Sequence, residues 1–480
     1  ENLAILRPNG FEYSITLPSP RRSIVLPIVE MVSGGFQLVS VRLDPYVLLS
    51  ADWKTAMGGK YCPASDVEGV WADGKIPSGG NGHYCVATSL NTPWSSDLRV
   101  AGYNGSSKDW MFGGASLTLN GGWLGMKNKV QCFSDLRVTS GAKHYGVKFL
   151  GAAGGDDQEI SGNITVMGST RDGATMFMGS HGQGCVISAN LLGSGWIQFI
   201  GNNDAVEEGE SVFYLTGQNA NFIGGMVVKA GTYTDKSTSQ KTYNPARLVL
   251  GADADASTLG GRPFSPLPDA LTIGAGGSLE VRSDFSYDVE NRGLTFAAQT
   301  ELVVSNAVTF SVGQSVVLAD DIQVSLVGAG TFAAKKVIGS SAAKLNIAEG
   351  GFCPLAATPL DGVALEFGAD GALVVDADTT DADLLKTGLQ DLNEQVSLAS
   401  GVAELKIRIL YDASNKDKVP YPTVGILTVP DSQAESWRQR IKSAKVMARG
   451  VAAKIDSISV GGLTTFRAEL SSKGFCLIFR

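Results

Sequence analysis

Short apolar stretches that alternate with turns of Gly, Asn and Asp fill most of this chain. The clearest example lies within residues 322–375, where an apolar strand end, a turn of small residues and a new strand recur three times. A shift of about 20 residues places Val327, Ile347 and Phe367 in one column. A strand-turn-strand unit repeated at a constant step predicts a solenoid that stacks like residues in ladders.

The same alternation extends over residues 111–378, with about 20–30 residues between equivalent strands. Ser116–Gly122 and Gly195–Gly201 are typical strand phrases, and no helical period interrupts the series. Residues 232–247 and 262–268 are predicted to be loops that protrude from the solenoid. The pattern predicts a mainly β fold, with a parallel β-helix over residues 111–378.

Residues 1–50 are predicted to form an N-terminal β region of antiparallel strands. Asn2–Leu6 and Phe11–Leu17 flank Asn9-Gly10, a strong hairpin signal, and two further strands are predicted at Ser23–Val32 and Phe36–Leu43. Residues 51–110 are irregular and rich in aromatic residues. Because the end of a solenoid exposes an apolar cross-section, we expect this segment to cap it.

Residues 379–480 differ in composition and are predicted to form a small α+β domain. Helices are predicted at 381–395 and at 433–448, the second opened by a capping box from Ser432 to Glu435. Strands are predicted at 403–410, 423–429, 457–460 and 464–470, before an apolar C-terminal stretch at 474–479.

Composition excludes several classes of function. Charged residues make up 18% of the chain, the net charge is −8, and no long basic patch exists, so we expect no nucleic-acid partner. No run of 18 apolar residues is present, so no helical membrane span is expected. The chain begins at Glu1, as an exported protein without its signal peptide would, and as a recombinant product would.

The six cysteines include no CxxC pair, so we expect no structural zinc site, no other metal and no cofactor. Cys62 and Cys85 flank a stretch rich in Gly, Pro and Asp, and form a candidate disulfide if the protein is exported. The alternative is that the cysteines are scattered buried thiols.

Residues 215–260 contain a more specific pattern. Leu215-Thr-Gly-Gln-Asn219, the glycine pair Gly224-Gly225, Val227–Gly231 and Leu248–Asp253 occur in this order. The pattern resembles the passenger-associated repeat of autotransporter-type surface proteins, with residues 232–247 as an insertion. The resemblance implies a right-handed β-helix and an extracellular or cell-surface protein of bacterial origin.

The resemblance also identifies a missing part. An autotransporter ends in a membrane barrel of alternating strands, and residues 379–480 are too short to form one. We therefore expect either a processed passenger or another exported design, in which the C-terminal domain serves assembly or attachment.

Polysaccharide lyases and hydrolases also use β-helices, so catalysis must be considered. Glycoside hydrolysis needs two carboxylates about 5–10 Å apart. The weak catalytic candidates are Asp156, Asp157, Glu207 and Glu208, with Glu159, Asp204 and Glu210 nearby. All lie in predicted turns, where solvated loop positions are the simpler interpretation. A lyase would add a basic residue, for which Lys229 and Arg247 are candidates.

Other chemical signals are weak. The three histidines, His83, His144 and His181, lie far apart, and packing or surface roles are expected for them. The basic residues of the second predicted helix could contact an acidic partner or form a solvated face. Four tryptophans of the predicted cap could stack on sugars or fill its core; they are Trp53, Trp71, Trp94 and Trp110.

The sequence therefore predicts an exported structural protein, a β-solenoid subunit of an extracellular fibre or surface assembly. The expected partner is a second copy, joined through terminal strands, and carbohydrate is a further candidate. The residues expected to join copies are Asn2, Leu3, Ile5, Phe475, Leu477 and Phe479. The alternatives are a monomeric adhesin and a polysaccharide lyase or glycoside hydrolase.

Overall fold

The computed structural model describes the backbone of strands within residues 2–100 and most of residues 110–472. The gaps in this second range are 113–114, 121–122, 127–128, 140–144, 150–156, 168–169, 172, 180–183, 204–208, 236 and 415–420. The described chain is mainly β and forms two compact units. The first unit comprises residues 1–247 and 257–266, and the second comprises residues 248–256 and 267–480.

The division lies inside the predicted 111–378 segment, so the domain boundaries at residues 50, 110 and 378 stay predictions. The strands of the N-terminal half are β1 Asn2–Leu6, β2 Glu12–Thr16, β3 Ser23–Val32, β4 Gly35–Leu49, β5 His83–Ala87, β6 Asp97–Val100, β7 Trp110–Met111, β8 Ser116–Asn120, β9 Trp123–Met126, β10 Val130–Thr139, β11 Tyr145–Phe149, β12 Gln158–Met167, β13 Thr175–Met178, β14 Gly184–Ile187, β15 Asn190–Gly193, β16 Ile197–Ile200, β17 Ser211–Leu215, β18 Met226–Lys229, β19 Gly231–Thr234 and β20 Lys241–Asn244.

The first unit begins with antiparallel pairs and continues with parallel ones. β1 pairs antiparallel with β2, as the predicted hairpin requires, and β3 pairs antiparallel with β4, in agreement with the antiparallel strands predicted for residues 1–50. From β4 onward, β5, β8, β10, β12 and β14 pair in parallel. A second series, β6, β9, β11, β13, β16 and β18, also pairs in parallel. The chain thus alternates between two parallel sheets.

Apolar residues form ladders across these sheets. Val147, Phe177, Phe199 and Val228 lie opposite one another on successive strands, and all four are fully buried. The Phe177 and Phe199 ring centroids are 5.9 Å apart. In a parallel ladder a residue meets its counterpart one repeat later, so the same type of side chain recurs at the same interior position.

The predicted loop at residues 232–247 is a β-hairpin. β19 pairs antiparallel with β20, and the Asp235 carboxylate caps the turn by accepting hydrogen bonds from the Ser237 and Thr238 backbone amides. The Ser237 hydroxyl also donates to this carboxylate. This bond, together with the two amide bonds, holds the pKa of Asp235 below its ordinary value. The insertion therefore has its own local structure.

The C-terminal half contains β21 Ala246–Leu250, β22 Leu267–Ile273, β23 Gly277–Val281, β24 Phe285–Tyr287, β25 Arg292–Phe296, β26 Thr300–Val304, β27 Thr309–Leu318, β28 Gln323–Val327, β29 Thr331–Ile338, β30 Lys344–Ile347, β31 Gly351–Pro354, β32 Leu360–Asp361, β33 Ala364–Phe367, β34 Ala372–Asp376, α1 Ala382–Thr387, β35 Leu389–Gln390, β36 Val396–Leu398, β37 Lys406–Leu410, β38 Thr423–Pro430, α2 Asp431–Arg440, β39 Lys445–Val446, β40 Val451–Val460 and β41 Leu463–Ser472. β21 begins in the first unit and ends in the second.

The second unit also contains two parallel sheets. One has the strand order β22-β25-β27-β29-β31-β34-β37-β39. The other has the order β23-β26-β28-β30-β33-β36. We call residues 267–376 of this unit the parallel region.

The register of the parallel region differs in one place from the predicted one. Ile347 lies opposite Phe367, as predicted, but Leu326 and not Val327 lies opposite Ile347. Leu326 is fully buried, whereas Val327 is only half-buried. Because side chains alternate between faces, the predicted constant step would have turned Leu326 out of the interior.

A stack of phenylalanines runs through the interior of the parallel region. Phe285, Phe310, Phe332 and Phe352 lie opposite one another on successive strands. Their ring centroids are 6.2, 5.7 and 6.2 Å apart, within the range of favourable aromatic pairs. Burial of one such side chain contributes roughly 1.5–3 kcal/mol, so the stack contributes to the stability of the parallel region.

The C-terminal part of the second unit contains an antiparallel sheet. β41 pairs with β38 on one side and with β40 on the other, and β35 pairs in parallel with β38. We call β38, β40 and β41 the antiparallel sheet. Strands predicted at 423–429, 457–460 and 464–470 belong to it, and β37 corresponds to the strand predicted at 403–410.

Both predicted helices in this part exist but are shorter. α1 is capped by the Asp381 carboxylate, which accepts from the Leu384 amide at 2.9 Å, and it ends at Gly388, whose φ is 63°. The prediction of a helix to residue 395 is therefore wrong, because glycine in this conformation terminates a helix. Leu389, predicted to be helical, lies in β35.

The predicted capping box is also wrong. α2 follows Pro430 directly and has no side-chain cap hydrogen bond. The Asp431 carboxylate instead accepts a hydrogen bond from the Thr464 hydroxyl of β41 at 2.6 Å. α2 begins at Asp431 and ends at Arg440, so Ser432 lies inside its first turn and cannot be the N-cap residue that a capping box requires.

Candidate functional site

The described candidate acids of the first unit bind backbone or neighbouring side chains. The exposed Asp157 carboxylate accepts a hydrogen bond from the Gly184 amide at 2.7 Å. The half-buried Glu159 accepts one from the Ser188 hydroxyl of the following strand segment. Asp156, Glu207 and Glu208 lie outside the described residues. Asp157 and Glu159 therefore link successive segments of one sheet, which is a structural use of a carboxylate.

Glu210 and Arg247 form an ion pair in the first unit. Arg247 Nε lies 2.8 Å from Glu210 Oε2, and both side chains are partly exposed. A positively charged guanidinium paired with a carboxylate is a poor general base, so this arrangement does not supply a lyase base. Within the described ranges, no three His, Cys, Asp or Glu side chains lie close enough together to hold a metal ion.

The side chains predicted to join copies lie outside the described part of the structure. Phe475, Leu477, Phe479 and Cys62 are not described, and Asn2, Leu3, Ile5 and Cys85 are described only as strand backbone. The backbone of Asn2–Leu6 pairs with β2. The predicted assembly contacts and the Cys62–Cys85 disulfide therefore stay predictions. Cys132 and Cys353 are free thiols.

The basic residues near the C-terminus do not share one helix. Arg438 and Arg440 lie on α2, where Arg438 pairs with Glu435 at 2.6 Å and Arg440 lies over the Trp437 ring at 5.3 Å. Lys445 lies in β39. The prediction of a continuous basic helix over 433–449 is therefore wrong, because the chain leaves the helix at Ile441.

A groove of 690 Å³ in the second unit is the strongest candidate site in the described part of the chain. It lies where the register between two neighbouring strands, β27 and β29, shifts. Val312 lies opposite Ala334 and Ser315 opposite Lys336, so two residues of β27 face one residue of β29. This bulge turns polar side chains outward at the bend. The polar lining residues are Gln314, Ser315, Lys335, Lys336, Thr358 and Asp361.

The bulge depends on Gly313. A Cβ atom at this position would lie 2.1 Å from Asp288 Oδ1, so a larger residue would displace the Asp288 side chain. Asp288 in turn accepts a hydrogen bond from Gln314 Nε2 at 3.0 Å and holds that amide at the groove. The sequence thus builds the bend from a glycine and a carboxylate on the preceding strand segment.

The groove carries two ammonium groups and one carboxylate. Lys336 Nζ lies 3.0 Å from Asp361 Oδ2, and both side chains are more than half exposed. Lys335 is exposed beside Lys336. Together with the Gln314 amide and the Ser315 and Thr358 hydroxyls, this lining can bind anionic groups and donate to or accept from sugar hydroxyls.

Sequence reasoning missed this groove, although a signal was present. In Thr331-Phe-Ala-Ala-Lys-Lys-Val-Ile338 two adjacent lysines interrupt an apolar strand phrase, which breaks the alternation expected of a straight strand. A pair of consecutive charges inside a buried strand indicates a bend where both side chains can reach solvent.

No helix in the described part of the chain is long and apolar enough to cross a membrane. Comparison of the chain with known protein families, with characterised proteins and with solved structures finds no match.

Proposed function

We propose that this protein is a structural subunit of an extracellular fibre or surface assembly, and that its parallel sheets wind as a right-handed β-helix. The observation that carries the proposal is the stack of Phe310, Phe332 and Phe352, in which each ring contacts its counterpart one repeat later. Residues recur in this way when a chain winds repeatedly around one axis.

The order of the strands supports the winding. Between β25 and β31 the chain visits the two sheets of the second unit in strict alternation, and each strand pairs in parallel with the strand two places further on. The register of β27 shifts in its middle, and β32 pairs with residues of β29 that follow those paired with β31. Three strand directions per repeat are the expected geometry of a β-helix.

The resemblance to the passenger-associated repeat supports the handedness and the surface location. Its glycine pair has a packing reason in the first unit. A Cβ atom on Gly224 would lie 1.8 Å from the Gly195 carbonyl oxygen, and one on Gly225 would lie 2.3 Å from the Trp196 ring. Both positions therefore need glycine where one strand segment crosses the preceding one closely.

A structural role also agrees with the chemistry of the described residues. Ladders of buried apolar side chains and parallel backbone hydrogen bonds make a stiff, protease-resistant body. The candidate acids Asp157, Glu159 and Glu210 are engaged in structural contacts. The protein then acts by its length and rigidity.

Two measurements on the purified protein test this proposal. Small-angle X-ray scattering at low concentration should give a particle much longer than it is wide, as a single winding axis requires. Electron microscopy at high concentration should show filaments or arrays. Discrete globular particles in both experiments would contradict the proposal, while elongated single particles would support an adhesin and not a polymer.

The groove at Lys335 and Lys336 favours a second candidate function, an adhesin that binds acidic polysaccharide. The double substitution Lys335→Ala/Lys336→Ala should abolish retention of the protein on immobilised polyuronate, and Lys241→Ala, an exposed lysine in the hairpin of the first unit, should not. Equal retention of all three proteins would exclude this function for the groove. Release of new polysaccharide ends by the wild type would indicate an enzyme.

A further inference from the structure

β40 is the edge strand of the antiparallel sheet. With β35, which pairs in parallel with β38, the strand order is β35-β38-β41-β40, and β40 pairs along its whole length with β41 alone among the described strands. The C-terminal half of β40 is exposed: Ile458 and Val460 have 44% and 69% of their surface accessible. A long exposed edge with apolar side chains is a template for pairing with another strand.

The hairpin turn determines which backbone groups face the open edge. Gly461 and Gly462 have φ values of 63° and 83°, as in a two-residue type I′ turn, so Val460 and Leu463 form a hydrogen-bonded pair. Hydrogen-bonded and non-hydrogen-bonded pairs alternate from there along the strand. The N–H and C=O groups of Ile455 and Ser457 therefore point away from β41, toward the open edge.

The charges on β40 are self-complementary. Asp456 lies opposite Arg467 of β41, which donates to its carboxylate at 2.9 Å, and Lys454 lies opposite Glu469. All four side chains are on the same face of the sheet, because they occupy alternate positions. A positive and a negative residue thus flank Ile455 symmetrically.

We propose that β40 pairs antiparallel with β40 of a second copy of this chain, about a two-fold axis through Ile455. In that register Lys454 lies opposite Asp456 of the second copy, and Asp456 lies opposite its Lys454. The row across four strands becomes Arg467, Asp456, Lys454 and Glu469, with alternating sign. Opposite charges at adjacent positions favour this register, and each pair occurs twice because the contact is isologous.

Neighbouring registers are worse for a physical reason. An axis through Asp456 would place that carboxylate against itself, and an axis through Lys454 would place two ammonium groups together. An axis through Ser457 would leave both charges opposite apolar residues. The axis through Ile455 also places the exposed Ile458 beside Ala452 of the second copy and satisfies the outward-facing groups of Ile455 and Ser457.

This contact depends on the proposed structural role in one respect: it would be one of the contacts that hold the subunits of the assembly together. A second, different contact would be needed to build a filament, since an isologous pair closes on itself. The dimer can therefore exist in a protein that forms no filament, and a filament can exist without the dimer.

A charge exchange tests the interface and leaves the pairs inside each chain intact. One variant is Lys454→Glu/Glu469→Lys, and the other is Asp456→Lys/Arg467→Glu. Each keeps an opposite pair between β40 and β41 but places like charges across the two-fold axis. Sedimentation equilibrium should show a dimer for the wild type, dimerisation weaker by roughly tenfold or more for each variant alone, and restored dimers in their mixture.

Two further variants separate the interface from folding. Ser457→Pro removes an amide that faces the open edge, so it should prevent dimers while the melting temperature changes little. Lys442→Glu makes the charge change of Lys454→Glu at an exposed position outside β40, and it should leave the dimer unchanged.

A monomeric wild type, or dimers of unchanged strength in both charge variants, would overturn the inference. Filaments in microscopy together with a monomeric subunit in sedimentation would overturn this interface and leave the proposed function standing. Dimers that follow the charge exchange without any filaments would support the interface and contradict the fibre.

Discussion

The parallel region and the antiparallel sheet, both in the second unit, bury the same kinds of side chain but treat their edges differently. In the parallel region, β28 pairs with β26 on one side and with β30 on the other. In the antiparallel sheet, β40 pairs only with β41 among the described strands. A repeating parallel sheet satisfies each edge with its own next repeat, whereas a small antiparallel sheet keeps an outer edge.

The two regions therefore differ in the source of their stability and in where they can bind a partner. The interior ladders make the parallel region depend on apolar contacts between repeats, such as that of Phe332 with Phe310 at 5.7 Å. The antiparallel sheet adds cross-strand polar pairs such as Asp456 and Arg467. Substitutions in the ladders should therefore lower the free energy of unfolding most. Substitutions at the edge should weaken association most.

The largest effect is expected for Phe332→Ala. Phe332 is fully buried between two other rings, so its removal leaves a cavity in the stack. The free energy of unfolding should fall by about 3–5 kcal/mol, measured by urea titration followed by circular dichroism. Phe332→Leu should lose clearly less, and Val460→Ala, at an exposed edge position, should lose almost nothing. Equal losses of unfolding free energy at Phe332 and Val460 would contradict the conclusion that substitutions in the interior ladders destabilise the protein more than substitutions at the edge.

A pair of proline substitutions should separate a doubly paired strand from an edge strand. Ser325→Pro in β28 removes an amide from a strand with neighbours on both sides, and leaves a carbonyl unpaired at a cost of roughly 1–3 kcal/mol. Ser457→Pro in β40 removes only an edge-facing amide and should cost less. Thermal unfolding measures the stability loss of each variant. A larger loss for Ser457→Pro than for Ser325→Pro would show that the edge of β40 is already covered within the chain.

Much of the fold could be predicted from the sequence because small-residue turns and apolar strands repeat. The recurrence around Ile347 and Phe367 gave the correct partner. The register at Leu326 could not be predicted, since the step from Leu326 to Ile347 is slightly longer than the step that follows it, and only knowledge of the buried face shows this. The predicted capping box is absent because the helix already begins at Asp431, so Ser432 lies inside its first turn.

A smaller effect is expected from acid. Arg467 donates to Asp456 and holds the pKa of that carboxyl below its ordinary value. A depressed carboxyl pKa contributes stability that is present above the unfolded value of about 3.9 and is lost as the pH falls through the folded value. Asp456→Asn should therefore reduce stability at pH 7, by at most about 1 kcal/mol, and the difference from the wild type should shrink as the pH falls below about 3.9. A difference that grows toward low pH would contradict this sign.

The smallest expected effect concerns Cys353, which should not react in the folded protein. Burial, with a contribution from the charge of Asp376, raises the pKa of its thiol to about 12. Since the thiolate is the reactive form, iodoacetamide at pH 8 should leave Cys353 unmodified until urea unfolds the chain. Peptide mass spectrometry reads the modification, with the half-buried Cys132 as comparison. Rapid labelling of Cys353 would show that the interior of the parallel region opens.

The candidate site was less predictable than the fold. Acids such as Asp157 are conspicuous in the sequence, but the structure uses its carboxylate to hold the Gly184 amide. The groove arises from a bulge at Gly313 and from Lys336 beside Asp361, which belong to different strands and are distant in sequence. Whether these residues lie close together depends on the register between the strands. That register follows from packing and not from any local motif.

The equivalence of Phe332 and Phe352 has a consequence for how this protein can change over generations. The two rings belong to consecutive repeats and face each other in register. Excision of residues 332–351 would join Thr331 directly to Phe352, which then occupies the place of the lost ring. Duplication of the same stretch would add a ring in the same way. We therefore expect the chain to lengthen or shorten most easily by a stretch that runs from one ring to the next, and other insertions to be tolerated where the chain leaves the sheets, as in the hairpin of β19 and β20.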